Sequence, residues 1–380
     1  MSTTTADALV DQRIDQLLAE HPPASTPAQE FWGAQFDLGL AWVQFPEGHG
    51  GLGLSPKMQG VIDERLRAAG APSPFGRNPI GIGMGAPTVE SHGSEEQKQR
   101  YLRPLFTCEE IWCQLFSEPG AGSDVASLST NAVRDGDEWV INGQKVFTSI
   151  ADFADYVWLA CRTDPEAKKH KGISIILVPT SAPGFKVTPI KIMGGAQTNA
   201  TYYEDVRVPV TNLVGEVNRG WDLIVNQLNR ERVALAPPGM CERQYAGVLE
   251  WARTTKLPDG RRVIDQEWVQ LNLARVHAKL EYLKLINWKV AWGVDHGEVN
   301  VDESSATKVF GTEFFCEAYR LLLEVMGPAG SLKRGSPDAL LRGGLERAYQ
   351  GTLILTFGGG TNEIQRDLIA VFGLKMPRSL

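Results

Sequence analysis

The segment Gln114-Leu-Phe-Ser-Glu-Pro-Gly-Ala-Gly-Ser-Asp124 concentrates groups that could bind a ligand. Pro119 stiffens it, Gly120 and Gly122 tolerate positive φ and close approach, and Ser117 and Ser123 add short hydroxyl donors. A loop of this kind offers backbone amides to an anion or a heterocycle; the bland alternative is a plain turn. A second chemical candidate is Glu231. Ile224, Leu228, Glu231 and Leu235 follow the spacing of one helical face. A carboxylate on such an apolar stripe is costly to hold ionised, and functional acids sit in such places. The bland alternative is a surface ion pair of Glu231 with Arg230 or Arg232.

The elements that must position these groups fall into three zones. The 380-residue chain exceeds what one core usually supports, so two or three domains are expected. Residues 7–110 read as helices with long loops: Met58–Ala69 has apolar residues at helical intervals, and Gly93-Ser-Glu-Glu-Gln-Lys-Gln-Arg-Tyr-Leu opens with capping residues. Over 112–216 the period becomes two, with Asp135-Gly136 and Asn142-Gly143 as hairpin dipeptides flanking Glu138-Trp-Val-Ile141. Tyr156–Arg162, Gly172–Val178 and Thr201–Val208 read as further strands. Helical spacing returns at 219–236, 238–255, 264–296 and 303–326. Segregated α, β and α blocks imply packed units, not βαβ alternation, and the expected domains are 1–111, 112–216 and 217–380. Gly81-Ile-Gly-Met-Gly-Ala86 fits GxGxxA, but the Pro-rich residues before it cannot be a central strand, so a Gly-rich helix start is the better reading.

Composition narrows the functional classes. A net charge of -7 argues against a nucleic-acid binder. Five cysteines without a CxxC pair suit reduced thiols in a cytoplasmic protein. Six histidines without HxH or HExxH spacing suggest no metal site. There is no basic leader before an apolar core, and no apolar run of about 18 residues that would span a membrane.

Five segments together resemble the acyl-CoA dehydrogenases, flavoenzymes that oxidise acyl thioesters to 2-enoyl forms. They are Phe45-Pro-Glu-Gly-His-Gly-Gly-Leu-Gly-Leu-Ser55, Gly93–Pro104, Ser117-Glu-Pro-Gly-Ala-Gly-Ser-Asp124, Ile141-Asn-Gly-Gln-Lys-Val-Phe-Thr-Ser149 (read as a strand) and Gly359-Gly-Thr-Asn-Glu-Ile-Gln-Arg366, in family order. The resemblance implies an α+β fold: a helical N-terminal domain, a middle β-barrel and a C-terminal four-helix bundle. It also implies FAD held in extended form between the β-domain and the C-terminal helices. By position, Gln114, Phe116 and Ser117 would edge the isoalloxazine, Gly122 and Ser123 would lie near the pyrophosphate, and Phe147 and Ser149 would meet the flavin. Phenylalanine at 147, where the family usually has tryptophan, keeps a stacking face and loses the indole donor. From the residues alone, Phe147 reads as an apolar side chain on a half-buried strand. Thr361 and Glu363 match cofactor-reaching positions, often in a neighbouring subunit.

The reaction needs a carboxylate at the α-carbon with a pKa raised by apolar surroundings. Many family members place it where this chain has Gly359, so the resemblance moves the base to Glu231, in a Gln227–Ala236 segment similar to isovaleryl-CoA dehydrogenase-like members. Gly359 retains a backbone N–H for the thioester carbonyl, a kind of contact that contributes about 3 kcal/mol in oxyanion sites, and Arg232 is the companion residue. Two segments that complete a neighbour's FAD site depart from the pattern: Lys256-Leu-Pro-Asp-Gly260 carries lysine for arginine, and Glu324-Val-Met-Gly-Pro-Ala-Gly330 carries glutamate for glutamine. The expectation is an FAD-dependent acyl-CoA dehydrogenase of the actinobacterial type, a homotetramer or a heterotetramer with a paralogous subunit, passing electrons to an electron-transfer flavoprotein. The alternatives are a non-catalytic or half-site subunit and an acyl-CoA oxidase-like flavoenzyme.

Overall fold

A computed structural model describes residues 3–195, 197–225, 227, 236–296 and 300–377. The chain folds as two compact units, Met1–Ile190 with Gln197–Gln227, and Lys191–Ala196 with Leu228–Leu380.

The first unit opens with helices α1 (Thr3–Glu20), α2 (Ala28–Asp37), α3 (Met58–Ala68), α4 (Ala86–His92) and α5 (Glu95–Phe106). The capping signal ahead of α5 is realised in full: Ser94 accepts from the Gln97 N–H and Gln97 reaches back to the Ser94 N–H. Its apolar face buries Tyr101, Leu102, Leu105 and Phe106. The helix expected over Met58–Ala69 is α3, tied to α1 where Arg65 meets Asp11 and Asp15 at 2.7 and 2.6 Å. Gly81–Gly85 is one π-helical turn running into α4, a helix start as expected for that glycine run.

The sheet comprises β1 (Trp112–Leu115), β2 (Asn131–Asp135), β3 (Glu138–Lys145), β4 (Tyr156–Arg162), β5 (Ile173–Pro179), β6 (Phe185–Lys191), β7 (Gln197–Pro209) and β8 (Leu213–Val214). Strand order is β6-β7-β3-β2-β4-β5-β8, with β1 added in parallel to β4. Alternating residues bury Leu115, Ile141, Val157, Leu159, Ile176, Val178, Tyr203 and Val206 in one core. Asp135-Gly136 makes its hairpin, with Gly136 at φ 62°.

Two expectations are corrected here. Asn142-Gly143 is not a turn: β3 runs straight through it, paired with β7, and the register shifts at Gly143. Tertiary pairing overrides the dipeptide's preference, which is spent on a bulge instead. Gly143 sits at φ 150°, and a Cβ there would lie 2.7 Å from the Thr130 Cα. Nor does the strand extend to Ser149; it ends at Lys145.

The second unit is helical: α6 (Pro238–Thr254), α7 (Glu267–Asp295), α8 (Val301–Met326), α9 (Gly344–Thr352) and α10 (Asn362–Leu368). The central helix, α8, packs on α6, α7, α9 and α10, burying Phe314, Phe315, Tyr319 and Leu322 against Val276, Leu280 and Leu283 of α7. Gly311 permits close approach, since an added Cβ would meet the Ala236 Cβ at 2.5 Å. The helix expected over 219–236 lies outside the described residues from 228 to 235. The architecture is mixed α/β, with helical regions before and after a middle sheet. Among the described residues no helix is long and apolar enough to cross a membrane.

The bulge yields a direct test. Gly143→Ala meets both a glycine-only backbone and the Thr130 main chain, so it should lower unfolding free energy by about 1–3 kcal/mol. Thermal denaturation of the purified variant reads this as a drop in Tm.

Candidate functional site

The loop after β1 is tied down from beneath. Glu118 and Ala121 exchange backbone hydrogen bonds at 3.0 and 3.1 Å, closing the tight turn Glu118-Pro-Gly-Ala121. The Val146 N–H donates to the Ser117 carbonyl at 3.0 Å, linking the loop to the end of β3. Below the turn, the Glu118 carboxylate accepts from the Ser129 N–H and Oγ (2.7 Å each), the Thr130 N–H (2.8 Å) and Lys145 Nζ (2.9 Å). Lys145 Nζ also donates to the Phe116 carbonyl at 3.1 Å. Both side chains are essentially out of water, at 4% exposure for Glu118 and 0% for Lys145. Burial pushes the Glu118 carboxyl up, but the Lys145 charge and the Ser129 hydrogen bonds outweigh it and hold the group at about 2. Burial draws the Lys145 ammonium below its usual value against the pull of Glu118. At neutral pH the Glu118 carboxyl is ionised.

With its underside fixed, the loop turns its other face outward. Pro119, Gly120, Gly122 and Ser123 are exposed, and a Cβ on either glycine would meet nothing within 4 Å. Phe116 is buried and Ser117 half-buried. Gln114 is half-buried on β1, with its Oε1 buried and unpaired among the described residues. Asp124 is drawn aside by Lys169 at 2.5 Å and by the Ser127 hydroxyl at 2.6 Å.

Directly after β3 comes a strained turn. Phe147 has φ 64° and Ile150 φ 61°, in the left-handed region that non-glycine residues avoid, a β-branched one most of all. Phe147 is 68% exposed, so the half-buried strand position expected for it is corrected. Burial cannot explain an outward phenyl ring on strained backbone. Thr148 is buried, with its Oγ1 unpaired among the described residues, and Ser149 is exposed. An open glycine face, an unpaired carboxamide oxygen and an offered aromatic ring fit a flat heterocycle with polar edges and an attached anionic group. Gln114, Phe147, Ser149, Gly122 and Ser123 could hold FAD in that sense.

In the second unit the glycine-rich loop is also held by a buried lysine. Lys308 Nζ donates to the Thr356 carbonyl (3.2 Å), the Gly360 carbonyl (2.8 Å) and Asn362 Oδ1 (2.8 Å). Gly359 and Gly360 adopt φ 65° and 88°. The Gly359 N–H finds no acceptor among the described residues. The Thr361 hydroxyl caps α10 by accepting from the Ile364 N–H at 3.3 Å, and Glu363 is exposed. Glu324, at the departure from the usual glutamine, accepts from Asn272 at 3.2 Å and pairs with Arg320 at 2.6 Å. Lys256 is exposed, and Asp259 pairs with Arg261 at 2.7 Å. Glu231 and Arg232 lie outside the described residues.

Lys145 and Lys308 were not singled out from the sequence, although a signal existed. Lys145 occupies the inward phase of Trp139, Ile141 and Gly143 on β3, and Lys308 shares a helical face with Ser304, Ser305, Thr312 and Phe315. Burial raises Cys113, Cys161 and Cys241 to about 12, which marks them as packing thiols. Among the described residues no cluster of His, Cys, Asp and Glu could hold a metal ion.

The Glu118 carboxyl is depressed on folding, from 4.5 to about 2. Its stabilisation, about 3 kcal/mol, is therefore fully present above about pH 5 and lost as pH falls towards 2. Denaturant unfolding across an acid series should show that decline. Glu118→Gln should flatten it and, by stranding the Lys145 charge, remove about 3–5 kcal/mol at neutral pH.

Comparison with known proteins places the chain. The models of the acyl-CoA dehydrogenase N-terminal, middle and C-terminal domains match residues 1–109, 113–206 and 218–374. The chain is 52% identical over 349 residues to acyl-CoA dehydrogenase FadE26 of Mycobacterium tuberculosis, across 90% of this chain and 85% of that protein. A chain of the ChsE4–ChsE5 complex from Mycobacterium tuberculosis superposes with TM-score 0.82 at 47% identity, over 100% of this chain and 99% of that one. The Tcur3481–Tcur3483 steroid ACAD gives TM-score 0.82 at 41% identity, over the same shares. Three consecutive domain models and a homologue at this identity leave one conclusion: the chain belongs to the acyl-CoA dehydrogenase family.

Proposed function

We propose that this acyl-CoA dehydrogenase is an FAD-dependent enzyme that introduces an α,β double bond into an acyl-CoA thioester, giving the trans-2-enoyl-CoA. The observation that carries the reading is the Phe147 turn: an exposed ring on left-handed backbone, beside a glycine loop fixed from below by Glu118 and Lys145. Bound FAD would accept the β-hydrogen as hydride, and an electron-transfer flavoprotein would collect the electrons. Gln114, Phe116 and Ser117 would meet the ring edge, Gly122 and Ser123 the pyrophosphate, and Phe147 with Ser149 the flavin face. Thr361 and Glu363 would act from the C-terminal segment. Glu231 removes the α-proton, since Gly359 stands where many relatives carry the acid. Gly359 answers the charge developing on the thioester oxygen with its N–H, and Arg232 assists beside the base. The domains performing these roles are 1–111, 112–216 and 217–380.

Assembly with a second chain is part of this reading. Tyr282, Leu285, Trp288 and Trp292 recur at helical spacing on α7 and are all more than half exposed. Large apolar side chains on one face mark a surface built to be covered. The solved relatives named ChsE4–ChsE5 and Tcur3481–Tcur3483 are two-component proteins, and the latter is named a steroid ACAD. A heterotetramer with a paralogous subunit and a bulky, steroid-like acyl group are therefore favoured over a homotetramer and a straight chain. Lysine for arginine at 256 and glutamate for glutamine at 324 fit a chain that leaves part of a neighbour's site to its paralogue.

Anaerobic titration with short, branched and steroid-like acyl-CoA thioesters tests the function by bleaching of the flavin absorbance. Bleaching by none of them refutes the reading. Glu231→Gln should keep the flavin spectrum and lose about 100- to 10,000-fold in the rate of bleaching; full retained activity reassigns the base. The chain purified alone should carry less than one FAD per subunit, and co-expression with the paralogue should raise the ratio. One tightly bound FAD per solitary chain would refute the two-component assembly.

A further inference from the structure

Behind the Phe147–Ile150 turn lies a small polar cluster at the start of β7. Asn199 is fully buried. Its Nδ2 donates to the Thr148 carbonyl at 3.0 Å and to Asp152 Oδ1 at 3.2 Å. Its Oδ1 accepts from Gln197 Nε2 at 3.4 Å, and the same Gln197 nitrogen reaches Asp152 Oδ2 at 3.2 Å. The Thr148 N–H, in turn, donates to the Asn199 carbonyl at 2.9 Å. Asn199 thus takes both main-chain polar groups of Thr148, one with its backbone and one with its side chain, and grips Asp152 on the far side of Ile150.

That arrangement has an energetic reason. Phe147 and Ile150 each hold a left-handed conformation that L side chains disfavour. Such strain persists only where the surroundings over-determine it. The hydrogen bonds from buried Asn199 to the Thr148 carbonyl and to Asp152 supply that over-determination. A merely structural asparagine would satisfy core groups; this one holds Thr148, next to the exposed ring of Phe147, and Asp152, just past Ile150.

We infer that Asn199 and Asp152 are positioning residues for the dehydrogenation, a clamp that holds Phe147 and Ser149 at the height and angle at which the flavin must sit. The inference rests on the FAD reading above. It also concerns the protein's own backbone, which can be observed without the cofactor. Asn199 acts through the Thr148 peptide and Asp152 through Asn199.

The test compares wild type with Asn199→Ala, Asp152→Ala and Asp152→Asn, each as the full chain with its paralogue where one is required. Asp152 is exposed, so its variants should fold even if Asn199→Ala does not. Without FAD, amides 148–153 should exchange at least about 10-fold faster in both alanine variants, because the turn opens locally. With FAD bound, the visible circular dichroism of the flavin should shift. The kcat should fall about 10- to 100-fold while KM changes less than about 2-fold, as for a misplaced reacting centre. Asp152→Asn, which keeps an accepting oxygen, should lie between wild type and Asp152→Ala. Unchanged flavin dichroism and kcat in both alanine variants overturns the inference, as does unchanged amide exchange. A wild-type protein that binds no FAD under any condition refutes the functional reading instead, and the exchange measurement then judges the clamp alone.

Discussion

Removing Glu118 and Lys145 from water is the constraint on which the exposed glycine face of the first unit depends. Each charge loses several kcal/mol of hydration when buried, and only close contact with full hydrogen bonding recovers it. The demand is met: four donors converge on the Glu118 carboxylate, and Lys145 divides its protons between that group and the Phe116 carbonyl. An apolar pair of similar volume could be as stable, so stability alone does not account for these charges. They add direction. The pair can be satisfied in one register only, with Phe116 and Glu118 seated over the last residue of β3, and that register sets where the glycine face points.

The same logic continues one step along the chain. Because Lys145 ends β3 in the core and Val146 donates to Ser117, the chain must turn sharply at Phe147. Left-handed backbone supplies the turn, and the polar cluster on β7 absorbs its strain. Loop and turn thus share one foundation: the groups suited to a flat cofactor sit on β1 or in the loop and turn that β1 and β3 anchor. Rigidity of this kind favours catalysis because reacting atoms tolerate little misplacement.

In the second unit a buried lysine again organises a glycine loop, with main-chain carbonyls in place of a carboxylate. Lys308 gathers the Thr356 and Gly360 carbonyls with Asn362 Oδ1, and Asn362 is further held by Thr312. Directing these oxygens inward leaves the Gly359 N–H without an acceptor among the described residues. Gly359 and Gly360 take the positive φ angles involved, and glycine at 358–360 keeps side chains out of the adjacent space. Both units thus bind loop carbonyls from within.

Much of this was legible in the sequence because the signals are local. The capping box at Ser94, the Asp135-Gly136 hairpin, the helical spacing of 238–255, 264–296 and 303–326, and the glycine-rich segments depend on neighbours a few residues away. What misled the reading was local preference overruled from a distance. Asn142-Gly143 is a turn dipeptide that β7 captures as a bulge, and Val146–Ser149 keeps a strand pattern in sequence although β3 ends at Lys145, which reaches Glu118. The sequence alone determined the family, the order of the helical and strand regions, and the residue types offered to a cofactor. Only the tertiary structure decided that Glu118 and Lys145 pair, that Phe147 faces outward and that Asn199 grips Thr148. The two pairings join residues 27 and 51 positions apart, and contacts at that separation form only when strands align and water is excluded, which no local pattern encodes.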